Sequence, residues 1–306
     1  MKISKVMFVG LGALGTMYAA FLTKAMDKGS VKVIAGKERI NKYVREKIYT
    51  NGKECQFEFA DYGEKADILF YCVKNNQLQQ AIEDSKPYVH QDTIILSVLN
   101  GIGSEDIIAK ELGMGHLLYC IAQGMDAVKE GNQLVYHSMG KVCFGEADNT
   151  VLSPQVSIVK QLFDETHFPY EIPVDMQKSM WGKLMLNTGC NQAAAVFRAN
   201  YGMLQQDGEA RRVMIDAMRE VLVLAKCEGV SLSEDDIAYW LVVISQLDPR
   251  GKTSTLQDVE AKRKTEVELF SGTVIRLGKE HGIPTPVNDF LFARMTEMEN
   301  EYLVKE

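Results

Sequence analysis

The sequence predicts an α/β domain followed by an all-helical domain, and three observations carry that prediction. Short, nearly continuous apolar runs recur through the first half, at 5–10 (KVMFVG), 31–35 (VKVIA), 67–73 (DILFYCV) and 93–99 (TIILSVL), as strands covered on both faces do. A glycine turn, Gly10-x-Gly12-x-x-Gly15, joins the first run to a stretch of helical spacing that carries Met17, Ala20, Phe21, Leu22 and Ala25. From Val174 onward, windows at 176–199, 206–228, 233–247, 255–281 and 286–303 all have helical periodicity, separated by joints rich in Gly, Pro and Ser. The domains are therefore expected at 1–172 and 173–306.

In chain order, strand, glycine turn, helix and second strand follow one another within about 30 residues, the opening of a βαβ unit. Residues 36–47 are charged and partly helical, and 48–60 alternate loosely around Asn51-Gly52, a hairpin signal. After the third run, residues 76–86 suit a helix. After the fourth, 104–112 suit another, with Ser104 as its cap and Glu105 and Asp106 in its first turn. Residues 116–145 read as several β-segments. Ser153-Pro154 opens a helix to about Thr166, with proline at the first helical position, and a short strand is expected at 170–172.

Composition narrows the function. At 306 residues the chain can bury two cores. Apolar residues at 46% and charged residues at 25% are ordinary globular values. A net charge of −7 provides no basic field for a nucleic acid. No apolar run reaches the roughly 18 residues that span a bilayer, and the N-terminus lacks the cleavage site of a signal peptide. Six scattered cysteines without a C-x-x-C pair read as free thiols in a reducing compartment. His137 and His281 have no ligand-spaced companions, so no metal site is expected. The chain reads as cytoplasmic, with a small-molecule partner.

A bare G-x-G-x-x-G is weak in a chain with 24 glycines, but here it follows a strand and opens a helix, the context the motif requires. Gly10 permits the tight turn, Gly12 lets a pyrophosphate approach the backbone, and Gly15 lets helix and strand pack closely. Leu11, Ala13 and Leu14 complete the loop, and the helix N-terminus meets the phosphates. This defines a Rossmann-type dinucleotide site. An NAD site places an acid at the end of the second strand for the ribose 2′-hydroxyl. This chain has Ala35-Gly36-Lys37-Glu38-Arg39 instead. Lys37, with Arg39, favours the 2′-phosphate of NADP. The alternative is that both are surface cations of a helix, with Glu38 between them.

The helical half contains Lys183, Asn187 and Asn191 at intervals of four. On a helix these form one ladder spread over roughly 12 Å. Residues 184–197 carry no charge, unlike a solvated helix face. Asparagine side chains donate to a carboxylate and accept from a hydroxyl without adding charge. A ladder of that length is enough for a small molecule, not for a nucleotide or polymer.

These pieces together resemble the 2-dehydropantoate 2-reductase (ketopantoate reductase) family, within the wider group of 6-phosphogluconate-dehydrogenase-like reductases. Besides the glycine loop, the resemblance rests on Val73-Lys74-x-x-Gln77, Leu99-Asn100-Gly101-Ile-Gly103 and Trp181-Gly-Lys183-Leu-x-x-Asn187-x-x-x-Asn191. It continues through Ser254-Thr-Leu-Gln257-Asp258, Thr265-Glu266-Val-Glu-x-x-x-Gly272 and Gly282-Ile-Pro284-Thr-Pro286-Val-Asn288, so it covers essentially the whole chain. The implied reaction is hydride transfer from NADPH to the C2 ketone of 2-dehydropantoate, giving pantoate for pantothenate and coenzyme A biosynthesis.

By the same resemblance Lys183 is the catalytic proton donor, and Glu266 touches both cofactor and lysine. Asn187 and Asn191 hold the hydroxyl and carboxylate end of the substrate, and Ser254 binds the carboxylate. Asn100 lies near nicotinamide ribose and substrate, Lys74 and Gln77 line the cofactor, and Ala127 makes a backbone contact to it. A homodimer is a family-level expectation. Elementary chemistry agrees: charge grows on the carbonyl oxygen as hydride arrives, and an ammonium stabilises it and supplies the proton. Burial disfavours that ammonium and a neighbouring carboxylate favours it, the work left to Glu266.

Several positions depart from the family pattern. Gly36 stands where arginine is common, the counterpart of a further asparagine is offset to Asn200 beyond Arg198, and residues 248–251 before Ser254 differ. A reductase of another small branched 2-keto or β-hydroxy acid, and a non-catalytic dinucleotide-sensing protein, are the competing readings. The proton donor argues against the sensor.

Overall fold

The computed structural model describes residues 3–303 and forms two units, one ending at Met176 and the other starting at Gln177. In the first, β1 (Val6–Val9), α1 (Ala13–Ala25), β2 (Val31–Ile34) and α2 (Lys37–Glu46) open the chain. The hairpin β3 (Ile48–Thr50) and β4 (Lys53–Cys55) follows, then β5 (Glu58–Phe59), β6 (Ile68–Tyr71), α3 (Leu78–Ser85), β7 (Ile94–Ser97) and α4 (Ser104–Leu112). The unit closes with β8 (Leu117–Met125), β9 (Val128–Glu130), β10 (Gln133–Val135), β11 (Met139–Gly145), α5 (Pro154–Thr166) and β12 (Tyr170–Glu171).

The main sheet has the order β12-β11-β8-β7-β6-β1-β2-β5, parallel except where β11 pairs β8. A second sheet, β4-β3-β10-β9, is built by the hairpin and a later strand pair. All four residues of β1, β2, β6 and β7 are buried. Their alternate side chains enter two cores: Val6, Phe8, Ile68, Phe70 and Leu96 on one face, Met7, Val9, Leu69, Tyr71 and Ile95 on the other. That is the physical reason these runs are continuous rather than alternating. Phe8 stacks on Phe70 at 4.8 Å between ring centroids. The hairpin forms where Asn51 and Gly52 adopt φ of 48° and 75°, the left-handed pair that a two-residue turn needs.

The second unit is helical. α6 (Met176–Leu186) runs into one turn of π-helix at Asn187–Asn191 and continues as α7 (Gln192–Val196). Then come α8 (Tyr201–Gln205), α9 (Glu209–Cys227), α10 (Glu234–Ser245), α11 (Ser254–Glu260), α12 (Ser271–His281) and α13 (Pro286–Leu303). Ser233 and Asp236 form a capping box at α10, and Gly282, at φ 67°, ends α12.

Three local expectations are corrected. Ser104 does not cap α4; Gly103 holds that position, and the Ser104 hydroxyl turns to Ser97 Oγ at 2.8 Å and to Glu105. The window 255–281 is not one helix: Lys262 has φ 54°, and Glu299 of α13 accepts the Thr265 N–H at 2.6 Å, which interrupts the helix between α11 and α12. The ladder segment is not regular α-helix either, because its two asparagines bound the π-turn. All six cysteines are free; Cys72, Cys120, Cys143 and Cys190 are buried, Cys55 is partly exposed and Cys227 is exposed. Among the described residues no helix is long and apolar enough to cross a membrane.

Candidate active site

In the first unit the candidate residues gather along one edge of the main sheet. Val9 is in register with Ile34 and with Tyr71, and Tyr71 with Ser97, so the four parallel strands end level. The loops leaving them carry Gly10–Gly15, Lys37, Lys74 with Gln77, and Asn100. Ala127 follows β8, which runs parallel to β7 towards the same edge. The chain reverses direction across the sheet at β1, with β2 on one side and β6 on the other. Ligands of open α/β sheets bind at the carboxyl edge at such a point.

The glycine loop is built for close approach. Gly10 has φ 95°, and a Cβ there would lie 2.6 Å from Val73 Cγ1. A Cβ on Gly15 would lie 2.0 Å from Gly10 O, which explains its absence. Thr16 closes the turn, its N–H donating to Gly12 O at 3.0 Å and its hydroxyl to Leu11 O at 3.1 Å. Gly12 caps α1 with no side-chain hydrogen bond, and the first turn has no acid. Its N–H groups and the positive end of the helix therefore suit an anion such as a pyrophosphate.

Lys37 and Arg39, both exposed, begin α2 and have no ion-pair partner among the described residues. Lys74 and Gln77 are exposed, and the Gln77 N–H donates to Lys74 O at 2.9 Å. Asn100 is half-buried before Gly101, whose φ of 90° makes the turn. Tyr43 lies four residues after Arg39 on α2. Burial raises its phenol, while Arg39 and the Leu11 backbone, which hydrogen-bonds the Tyr43 oxygen, pull it down.

Behind the Asn100 turn lies Glu105, 2% exposed. Burial pushes its carboxyl up to about 7; hydrogen bonds from backbone groups of Glu105 and Cys120 and from the Ser104 hydroxyl oppose that shift. The folded state thus holds this proton at a pH where the unfolded chain, with an ordinary value of 4.5, has released it. Stability falls as pH rises from about 4.5 to about 7 and then levels off, by on the order of 3 kcal/mol. In Glu105→Gln this component of the pH dependence is expected to disappear, as read by urea melts from pH 4.5 to 8.5. A variant with the wild-type pH slope overturns that assignment.

In the second unit three of the candidates converge. Asn191 Nδ2 lies 3.3 Å from Asn187 Oδ1 and 3.5 Å from Ser254 Oγ, which joins the π-turn to the start of α11 across 63 residues. Lys183 is 9% exposed and Asn187 7%. Ser254 is exposed, and Thr253 caps its helix by accepting the Leu256 N–H. Glu266 is half-buried before a short 3₁₀ turn, Val267–Leu269. The π-turn fits only because Gly189 lacks a side chain: a Cβ there would lie 2.6 Å from both Met214 O and Met218 Cγ of α9. The cluster presents amide and hydroxyl groups one turn from a buried lysine, a set able to orient a small polar acid. Among the described residues no group of three or more His, Cys, Asp or Glu could hold a metal ion.

A dinucleotide-binding α/β unit followed by a helical unit with a lysine and two asparagines defines a class of oxidoreductases. The chain belongs to the ketopantoate reductase family: the model described as ketopantoate reductase PanE/ApbA matches residues 6–149, and its C-terminal counterpart matches 175–299. It is similar to the 2-dehydropantoate 2-reductase of Aquifex aeolicus, 28% identical over 94% of this chain and 95% of that protein. That name denotes an oxidoreductase acting on a CH–OH group. The fold also matches D-mandelate dehydrogenase solved with NADH, at TM-score 0.86 and 23% identity over 97% of this chain and 99% of that one. A dimeric ketopantoate reductase from Staphylococcus aureus matches at TM-score 0.78 and 19% identity, over 97% and 99%.

Proposed function

We propose that this protein reduces 2-dehydropantoate to pantoate with NADPH, in the cytoplasmic pathway to pantothenate and coenzyme A. The observation that carries this is the contact of Asn191 with both Asn187 and Ser254 beside the buried Lys183, in a chain whose curated relatives bear that enzyme's name. A reduced nicotinamide dinucleotide, when bound, supplies the hydride. Gly10–Gly15 cradle its pyrophosphate, and Lys74, Gln77, Asn100, the Ala127 backbone and Glu266 are the other groups assigned to it. Asn187, Asn191, Ser254 and Asn100 orient the acid through its hydroxyl and carboxylate. Lys183 Nζ neutralises the charge that grows on the carbonyl oxygen and transfers its proton there. Glu266 favours the charged lysine. A homodimer is the proposed assembly, and sedimentation measures it.

Lys37, with Arg39, is assigned to the 2′-phosphate. Replacing both with alanine is expected to raise KM for NADPH roughly 10–100-fold and leave KM for NADH nearly unchanged, a difference of about 1.4–2.8 kcal/mol. Equal effects on both cofactors remove the assignment. The test of the whole reading follows NADPH and NADH absorbance with 2-dehydropantoate and a panel of 2-keto acids that includes phenylglyoxylate. Turnover best with 2-dehydropantoate supports it. Turnover only with another acid replaces the substrate, and cofactor binding without turnover makes the protein a dinucleotide sensor.

A further inference from the structure

The turn that carries the two asparagines is held by a buried polar network that the chemistry above does not use. A π-turn places one extra residue in a helix and leaves a carbonyl without its usual N–H donor. Here the backbone N–H of Gln192 goes to Gly189 O, and the Gln192 side-chain Nε2 donates to Thr188 O at 2.8 Å. Gln192 Oε1 in turn accepts from Ser271, from the hydroxyl at 2.9 Å and the N–H at 3.4 Å. The Ser271 hydroxyl also lies 3.0 Å from Asn288 Oδ1, and Asn288 Nδ2 donates to Glu220 Oε2 at 2.7 Å. Gln192, Ser271 and Asn288 are each 0% exposed.

Both amides are locked in orientation. Turning over Gln192 would set its oxygen against Thr188 O, and turning over Asn288 would set its oxygen against the Glu220 carboxylate. Ser271 has a single hydroxyl proton for two amide oxygens, so its N–H serves Gln192 whenever the hydroxyl serves Asn288. Packing alone does not call for such a chain, since apolar side chains of equal volume fill a helical core at no loss of stability. What the network does supply is a side-chain donor to Thr188 O, a carbonyl inside the π-turn. Without it the turn can relax towards α-helix, which rotates one side of the turn by up to about 100° relative to the other and separates Asn187 from Asn191.

We infer that Gln192, held by Ser271 and Asn288, is a positioning residue that locks the π-turn and thereby sets the spacing of Asn187, Asn191 and Ser254 for acid binding; the last step rests on the function proposed above.

Gln192→Met keeps the volume and removes all three side-chain hydrogen bonds. Its KM for the keto acid is expected to rise at least tenfold, with Kd for NADPH unchanged, while backbone hydrogen exchange across residues 187–196 accelerates at least tenfold. Ser271→Ala leaves the Thr188 bond in place and is expected to raise KM about threefold, with a smaller gain in exchange. If Gln192→Met does not fold, the same two readouts on Ser271→Ala decide. Wild-type exchange in this segment, or faster exchange with an unchanged KM, overturns the inference. If the wild type turns over no 2-keto acid, the proposed function fails; exchange alone then tests whether Gln192 locks the turn.

Discussion

Lys183→Ala is expected to lower kcat for keto acid reduction by roughly 10³–10⁴-fold and to leave Kd for NADPH within about twofold. Lys183 lies one turn before Asn187 on the α6 helix and is buried, so its ammonium is largely removed from water, where a charge acts most strongly on a developing alkoxide. Alanine removes both the electrostatic stabilisation and the proton. Lys183→Arg separates these two losses: a guanidinium keeps the charge but does not release a proton. The arginine variant is expected to recover binding of the acid more than kcat. Single-turnover absorbance measurements with saturating NADPH read both quantities. An alanine variant as active as the wild type would remove Lys183 from the mechanism.

The second large effect is expected at the glycine loop, where two neighbouring substitutions should fail differently. A Cβ on Gly15 meets Gly10 O at 2.0 Å and Cys72 Cβ at 2.9 Å. The first of these is backbone, so strand and helix must move apart. Gly15→Ala is expected to destabilise the first unit by about 2–4 kcal/mol and to abolish dinucleotide binding. A Cβ on Gly12 meets only Cys72 O, at 3.4 Å. Gly12→Ala is therefore expected to fold with a near-normal melt, yet to weaken NADPH roughly 10–100-fold, because the methyl stands where the pyrophosphate must approach. Thermal melts beside fluorescence titration with NADPH distinguish the two. A Gly12→Ala protein that binds normally would mean the phosphates lie elsewhere.

The first unit was largely legible in the sequence because its signals are local. Four doubly buried strands must be continuous apolar runs, and Asn51-Gly52 forms its hairpin whatever surrounds it. The parallel pairing of β3 with β10, 84 residues away at Tyr49 and Gln133, leaves no local trace. Neither did the break in 255–281, which depends on Glu299 capturing Thr265 from another helix. At the candidate site, the spacing of Lys183, Asn187 and Asn191 was visible, and so was the uncharged stretch around them. The π-turn was not, since five residues of α and π helix share nearly the same pattern. It is decided by the approach of Met214 and Met218 to Gly189. One clue was present in Gln192, an amide followed directly by three alanines in an uncharged stretch.

The order of strands in the main sheet bears on how the chain can assemble while it is being made. β1 emerges first and ends near the middle of the sheet; β2 pairs with one of its edges and β5 extends that side. β6 then takes the other edge, and β7, β8, β11 and β12 follow outward in sequence. Every strand joins an edge formed from earlier residues, and none must be inserted between two that are already paired. A parallel sheet is otherwise slow to form, because its contacts are distant in the chain. Here the distant closures β1–β6 and β7–β8 are available before the helical unit is synthesised, so the first unit can be complete when Gln177 leaves the ribosome's exit tunnel.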